Sequence, residues 1–367
     1  MMRPRTLQLI FVGVVATALV GASATTAATP AGQQLKPMRL PVADVRVLAS
    51  WQLPDGLTLA GYGPELAGHY AAFALNYVGN VTRYPIGTHA KYGIVDLVSG
   101  RLRFLESSFD GGITGVLIGG LGRFLRVEDP GVKGTCQYGQ GNCMAWAIVD
   151  TDPQSLASRV IDRGVSLNDS VMAPRPVAGP DSFAWQRTLP DGSNEIVEWR
   201  PGQAAPRVIG KASSQGELVH AAQGWLLATM WGRGPTLAEV ATGRAIDAPP
   251  LAGIAGNHGS LVWATQIKPT ALDRPGTTDV FVGKVTDGRL VGHKIARVPD
   301  LYGLGWVGTQ HALVGTPLGI SLVPTDGGSI SPLPAVPDFI ARADGQRAVL
   351  FVPGDRGEIG VAVLEAN

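Results

Sequence analysis

Residues Asp279–Ile295 read DVFVGKVTDGRLVGHKI, two extended runs on either side of Asp287-Gly288. An Asp-Gly pair supplies the positive backbone dihedrals that a two-residue hairpin turn needs, so the stretch predicts a tight antiparallel hairpin. Similar hairpins, YGIVDLVSGRLRFL ending at Leu105, MAWAIVDTDPQSLASRVI ending at Ile161, EIVEWRPGQAAPRVI ending at Ile209, LAEVATGRAI ending at Ile246 and GISLVPTDGGSISPL ending at Leu333, recur along the chain. Their spacing of about forty-five residues is that of repeat architectures in which each unit buries its apolar faces against its neighbours.

Each hairpin is preceded by two shorter extended runs, which makes units of four strands. The inner pairs are Leu57–Tyr62 with Tyr70–Leu75, Thr114–Ile118 with Phe124–Val127, Ala173–Ala178 with Phe183–Arg187, Glu217–Ala222 with Trp225–Trp231, Ile254–Ala255 with Leu261–Gln266, and Tyr302–Val307 with Ala312–Gly315. A last unit has only three runs, Phe339–Ala343, Ala348–Val352 and Ile359–Leu364. An open unit would expose a sheet edge, and edges invite aggregation. The lone strand VRVLASW at Val45–Trp51 has no neighbour in sequence and is the expected fourth strand. The predicted fold class is therefore all-β: a seven-bladed β-propeller of four-stranded antiparallel blades, its last blade closed by the N-terminal strand. A six-bladed ring and a pair of β-sandwiches remain as alternatives.

The pattern resembles secreted propellers of the broad WD40-like and TolB-like kind over Val45–Asn367. The resemblance is architectural. No Trp-Asp dipeptide closes a unit, and the glycine pairs Gly111-Gly112, Gly119-Gly120 and Gly327-Gly328 do not fall at the regular position of a kelch repeat.

Composition agrees with many short strands. Charged residues are 16%, with 49 Gly and 27 Pro among 367 residues. The N-terminus carries Arg3 and Arg5, an uncharged apolar run from Leu7 to Ala22, and Ala22-Ser23-Ala24. This is the layout of a secretory signal peptide over residues 1–24, followed by a flexible leader over 25–41 and a single propeller domain over 42–367. A secreted or extracytoplasmic chain with no membrane span after cleavage is expected, with an uncleaved anchor as the alternative. Removing Arg3 and Arg5 leaves 28 basic against 29 acidic residues, which lacks the electrostatic footprint of a nucleic-acid binder. The two cysteines, Cys136 and Cys143 in CQYGQGNC, are expected to form a small local disulfide in an exported chain, with free thiols as the alternative. Four ligands are usual for a structural metal and none of the six histidines is near, so no metal is expected there.

Three connections between second and third strands are long: Asn76–Ala90, Glu128–Asn142 and Ile267–Thr278. Long loops on a rigid scaffold are where binding residues concentrate. Arg83, Tyr84, His89, Lys91, Lys133 and Tyr138 are the candidates for a polar and aromatic rim. Asp110, Asp162, Asp169 and Asp300 are assigned to connections that lead into inner strands near the channel mouth. Trp231 and Trp306 are candidate stacking surfaces, whereas Trp146, Trp185, Trp199, Trp225 and Trp263 read as packing between blades. His69, His258 and His311 fall just before second strands and His220 near the end of a first strand, which gives no histidine cluster. Ser108–Thr114 is one incomplete copy of an Asp box, with Gly115 where Trp is expected.

There is no G-x-S-x-G elbow, H-E-x-x-H helix, P-loop or dinucleotide fingerprint. The expectation is an exported, monomeric, cofactor-free propeller that binds an extracellular or periplasmic protein or glycan through its loop-rich face without catalysis. The alternative is a glycan-directed hydrolase or lyase that uses loop carboxylates such as Asp110 and Asp169.

Overall fold

The computed structural model describes residues 38–39, 45–51, 57–59, 64–77, 91–109, 113–128, 144–166, 174–189, 193–212, 215–229, 236–257, 259–267, 276–308, 310–333, 347–353 and 359–365. They form an all-β propeller of antiparallel, mostly four-stranded blades, with no helix among them. Six blades are built of consecutive strands. Blade 1 comprises an interrupted inner strand (Leu57–Leu59 and Glu65–Ala67), then Tyr70–Tyr77, Lys91–Asp96 and Leu102–Glu106. Blade 2 is Ile113–Gly120, Arg123–Glu128, Met144–Thr151 and Ser158–Ser166; blade 3 is Val177–Ala178, Phe183–Thr188, Asn194–Trp199 and Arg207–Ala212. Blade 4 has only Glu217–Ala221, Gly224–Ala228 and Leu237–Glu239. Blade 5 is Gly253–Asn257, Ser260–Ile267, Thr277–Thr286 and Arg289–Pro299, and blade 6 is Gly303–Val307, His311–Thr316, Gly319–Pro324 and Ser331–Leu333.

The count of seven such blades is thus corrected to six. The remaining sheet is not a blade of the expected make-up: its order is Met38–Arg39, Val45–Trp51, Ile359–Glu365, Arg347–Pro353, and the expected inner strand Phe339–Ala343 lies outside the described residues. Both chain ends meet in it, with Val45 opposite Leu364 and Trp51 opposite Ile359. Blade 4 departs from four full strands as well. Beyond Leu237–Glu239 the chain makes single bridges, Ala245 to Ala238 and Asp247 to Arg289, so its outer segment is shared with the hairpin turn of blade 5.

That turn has the expected chemistry. Thr286 pairs with Arg289, and both Asp287 (φ 50°) and Gly288 (φ 75°) are left-handed, which is the signature of a type I′ turn. A second regularity is less obvious in the sequence. The outer strands of blades 2, 3 and 5 each bulge at one isoleucine, Ile161, Ile209 and Ile295, where the register against the third strand slips by one. Val45–Trp51 slips in the same way between Val47 and Ala49. A bulge bends the strand and increases its twist, which an outer strand needs to wrap the strongly twisted edge of a blade.

The core is a series of slabs. Five buried clusters among the described residues each straddle neighbouring blades, from Tyr92 and Ile94 against Leu117 and Phe124 to Val280 and Ile295 against Trp306 and Val314. Second strands are covered on both faces, so Ala71–Leu75 is buried at every position and reads as a continuous apolar run rather than an alternating one. Toward the axis, blades must converge. Gly119 of blade 2 allows this, since a Cβ there would lie 2.2 Å from the Leu66 carbonyl oxygen of blade 1.

Polar pins cross the same interfaces. The indole N–H of Trp185 in blade 3 donates to Asp162 of blade 2 at 2.8 Å, and that of Trp225 in blade 4 donates to Glu198 of blade 3 at 3.2 Å. Burial alone would raise the Glu198 carboxyl, but hydrogen bonds from Arg207, Ser182 and Trp225 outweigh it and hold the pKa below the usual glutamate value.

Candidate functional site

The inner strands, along much of their length, and the ends of the second strands of blades 3 and 4 line a cavity of about 790 Å³ to which all six blades contribute. Its polar wall comes mainly from blades 3 and 4. In blade 3, Gln186 accepts a hydrogen bond from the Gly216 N–H of blade 4 at 3.1 Å, and Arg187 next to it lies in a bed of carboxylates. Arg187 Nη1 donates to both oxygens of Asp162, at 3.0 and 3.3 Å, while Nε and Nη2 donate to Glu195 Oε2 at 3.3 and 3.1 Å. Asp162 also accepts the Trp185 indole and the Arg163 backbone N–H, and its burial pushes its carboxyl above the usual aspartate pKa despite these donors. Blade 4 contributes Glu217, the first residue of its inner strand, and His220, whose ring meets Trp225 edge-on at 5.0 Å.

Blade 1 contributes Glu65, also the first residue of an inner strand segment, buried and accepting the Gly119 N–H at 3.2 Å. Blades 5 and 6 supply a more apolar side. Leu301 and Leu304 line it, and Tyr302 lies at the connection into blade 6 with 54% of its surface exposed. The Tyr302 N–H donates to Gly315 O at 2.8 Å, which holds the tyrosine near the turn that carries Leu318, an 85% exposed leucine. The charged lining residues, Arg175, Arg187, Glu65 and Glu217, balance in sign. Asp162 and Glu195 behind Arg187 tip the local field negative.

Of the residues singled out from sequence, Trp306 lines this cavity, but it is 3% exposed and gives its indole N–H to Ala255 O at 3.2 Å, so it is a packed wall rather than an open stacking face. Asp300 lies in the connection between blades 5 and 6 as expected, its N–H donating to Gly276 O, and is followed by the lining residues Leu301 and Tyr302. Lys91 begins the third strand of blade 1, where it pairs with Glu106 at 3.0 Å. The assignment of Asp162 to a connection is corrected: it lies inside the outer strand of blade 2, which continues past the bulge at Ile161 and pairs with the third strand as far as Ser166 opposite Met144. Arg83, Tyr84, His89, Asp110, Lys133, Tyr138, Asp169, Trp231, Cys136 and Cys143 lie outside the described residues. Trp146, Trp185, Trp199, Trp225 and Trp263 are all buried between blades. Among the described residues no group of three His, Cys, Asp or Glu is placed to hold a metal ion.

No protein-family model matches the chain, and no curated protein matches it. Solved structures do. An oligogalacturonate lyase in complex with manganese is 11% identical over 92% of this chain and 98% of that one, with a TM-score of 0.56. A puromycin hydrolase is 13% identical over 86% of this chain with a TM-score of 0.52; the match spans 54% of its length. TolB from Acinetobacter baumannii superposes more loosely, at 11% identity, 76% and 60% coverage and a TM-score of 0.39. The first two likenesses extend to the propeller fold and no further, because at such identity side chains in the cavity are free to differ entirely.

Proposed function

We propose that the chain is an exported, non-catalytic, glycan-binding propeller whose ligand enters the axial cavity, and whose ring is closed by the sheet of the two chain ends. The observation that carries the reading is the two-sided cavity. Hydrogen-bonding side chains gather on blades 3 and 4, and the exposed Tyr302 with Leu301 and Leu304 lines the side formed by blade 6. A pyranose has the same division: a rim of hydroxyls and an apolar C–H face that packs on an aromatic ring. The volume of about 790 Å³ falls within the range of roughly 300–1,000 Å³ common to small-ligand sites. The balanced lining, with Arg187 already neutralised by two carboxylates, favours a neutral glycan over an acidic one.

Closure by the terminal sheet is supported by its ladder between Val45–Trp51 and Ile359–Glu365, by the shared outer-strand bulge, and by the hydrogen bond from Arg347 to Gly68 O of blade 1. Export rests on the N-terminal sequence.

The test is calorimetric titration of the chain from residue 25 onward with neutral hexasaccharides of glucose and mannose and with uronic acid counterparts. Saturable binding to a neutral member, weakened roughly ten-fold by Tyr302→Ala, is expected; a contact of this size is worth about 1.4 kcal/mol. No binding across the panel, preference for the acidic members, or cleavage of any of them would overturn the reading.

A further inference from the structure

This inference rests on the glycan reading. We propose that Arg187 is the hydrogen-bond anchor of the cavity, donating through Nη2 to a hydroxyl oxygen of one bound sugar unit, with Asp162 and Glu195 as the positioning residues that fix its guanidinium plane. The arginine has five N–H groups in a rigid fork. Nε and one hydrogen of Nη2 go to Glu195, and one hydrogen of Nη1 is shared between the two oxygens of Asp162. The second hydrogen on Nη2 has no acceptor among the described residues, and Arg187 lines the cavity with 23% of its side chain exposed.

The support behind the arginine is unusually complete. Asp162 is 8% exposed at its side chain and takes three kinds of donor: the Trp185 indole, its neighbour's backbone N–H and the guanidinium. Trp185 itself is fully buried in the slab between blades 2 and 3. The bulge at Ile161 immediately precedes Asp162, a position where bulges commonly re-aim a side chain. Glu195 comes from the third strand of blade 3, directly opposite Arg187 in the ladder. The guanidinium is therefore held from both blades, so little side-chain entropy remains to be lost when a ligand accepts a remaining hydrogen. An ordinary surface arginine has no such frame.

Two carboxylates on one guanidinium also set the kind of ligand. A third anion at Nη2 would meet a locally negative site, whereas a neutral hydroxyl accepts the bond without that repulsion. Arg187 is on this account a directional donor rather than a charge trap, and it selects for one hydroxyl of the sugar.

The experiment uses the neutral hexasaccharide that binds the chain most tightly and a series of its monodeoxy analogues, measured by calorimetry against wild type, Arg187→Ala, Arg187→Lys and Asp162→Asn. Wild type should discriminate against one analogue by roughly ten- to hundred-fold, the value of a hydrogen bond from a charged donor. Arg187→Ala should bind parent and that analogue equally. Arg187→Lys keeps a cation between Asp162 and Glu195, which guards against unfolding, and should lose the discrimination too, because an ammonium lacks the fork. Asp162→Asn should reduce the discrimination without abolishing binding, a change that a purely structural role would not produce. Discrimination unchanged in Arg187→Lys and Arg187→Ala, with binding still sensitive to Tyr302→Ala, would overturn the anchor and leave the glycan reading standing. Absence of binding by wild type would overturn the reading itself.

Discussion

Removing the Glu128 carboxylate should destabilise the propeller more than any comparable change at its surface. Glu128 and Arg126 lie two residues apart in the second strand of blade 2, at 0% and 1% side-chain exposure, and form an ion pair. Arg126 also donates to Thr151 Oγ1 at 2.9 Å and to the hydroxyls of Ser158 and Ser108 at 3.1 and 3.3 Å, and its guanidinium lies over the Tyr92 ring of blade 1 at 5.1 Å. All of these partners are neutral. In Glu128→Ala a buried cation would lose its only counter-charge among the described residues, which typically costs about 3–5 kcal/mol. The Ser108 N–H and Ser107 hydroxyl, which Glu128 accepts at 2.7 and 3.2 Å, would lose their acceptor as well, adding about 1 kcal/mol or more. The double variant Arg126→Met with Glu128→Leu removes both charges together and should recover most of the loss, to within about 2 kcal/mol of wild type. Urea denaturation read by the buried tryptophans would measure each. The pH dependence adds an independent check. Burial, opposed by Arg126 and the serines, leaves the Glu128 carboxyl above the usual glutamate pKa. The folded state therefore binds this proton more tightly than the unfolded state, and stability falls as pH rises from the ordinary glutamate value through the raised one. Glu128→Gln should lack that portion of the slope. Equal midpoints for Glu128→Ala and the double variant, or a loss below about 1 kcal/mol, would refute the reasoning.

The interblade indole bonds predict that Trp185→Phe and Trp225→Phe each cost about 1–2 kcal/mol beyond their small change in area, because Asp162 and Glu198 lose a donor in a buried setting; thermal unfolding of the two single variants and their combination, expected to be nearly additive, checks this. Gly119→Ala should be far more damaging than Gly68→Ala. The first places a methyl 2.2 Å from a backbone oxygen of the next blade, while the second meets open space and costs only the roughly 1 kcal/mol of a left-handed alanine (φ 61°), as the two melting temperatures would reveal. Deleting residues 38–51 uncovers the edge of Ile359–Glu365 and should lower the melting point sharply and promote self-association in light scattering, whereas deleting only residues 38–40 should do neither. In blade 5, the hydrogen bond from Arg297 leads the effects that lower the Asp279 pKa to about 2. The stability it adds is present above the ordinary aspartate value and lost as pH falls from there toward 2, so Asp279→Asn should flatten the acid limb of the stability curve in that window while, with Arg297 and Lys294 roughly half exposed, changing neutral-pH stability only modestly.

The outer hairpins were legible because their determinants are local. Asp287-Gly288 needs no tertiary context to turn, and the same holds at Gly100, Gly202, Gly243 and Gly327, each at positive φ. Inner strands were harder: that of blade 3 is the dipeptide Val177–Ala178, and that of blade 1 is broken in two. Such strands are held by neighbouring blades and carry little periodicity of their own. The extent of the outer strands was misjudged for a related reason. The apolar pattern of the hairpins ends at Ile161 and Ile209, the bulged residues, and so places Asp162 outside its strand. The recurrent Arg-Val-Ile at 159–161 and 207–209 was the available signal: each arginine bonds a carboxylate of its own blade, Asp150 or Glu198, just before the bulge. For the cavity, the matching signal was Glu-Leu at 65–66 and 217–218. A charged residue opens an inner strand that is otherwise mostly apolar in both places.

Why the cavity residues escaped motif reading follows from the architecture. A catalytic motif is a short stretch because one turn or helix presents its groups together. A propeller instead brings one residue from each blade to the axis, so Glu65, Arg187, Glu217 and Tyr302 meet there from positions tens of residues apart in sequence. The chemistry of such a site is set by what stands behind each lining residue in the interblade slab. Behind Arg187 stand Asp162, Glu195 and a buried tryptophan, and that second layer is what converts a cation into an oriented, charge-compensated donor. A propeller sharing this ring but not these backing carboxylates would present a bare positive charge at the same place and would favour an acidic ligand. Likeness of fold at 11% identity therefore leaves the ligand open, and the pairing of each lining residue with its neighbour one blade away decides it.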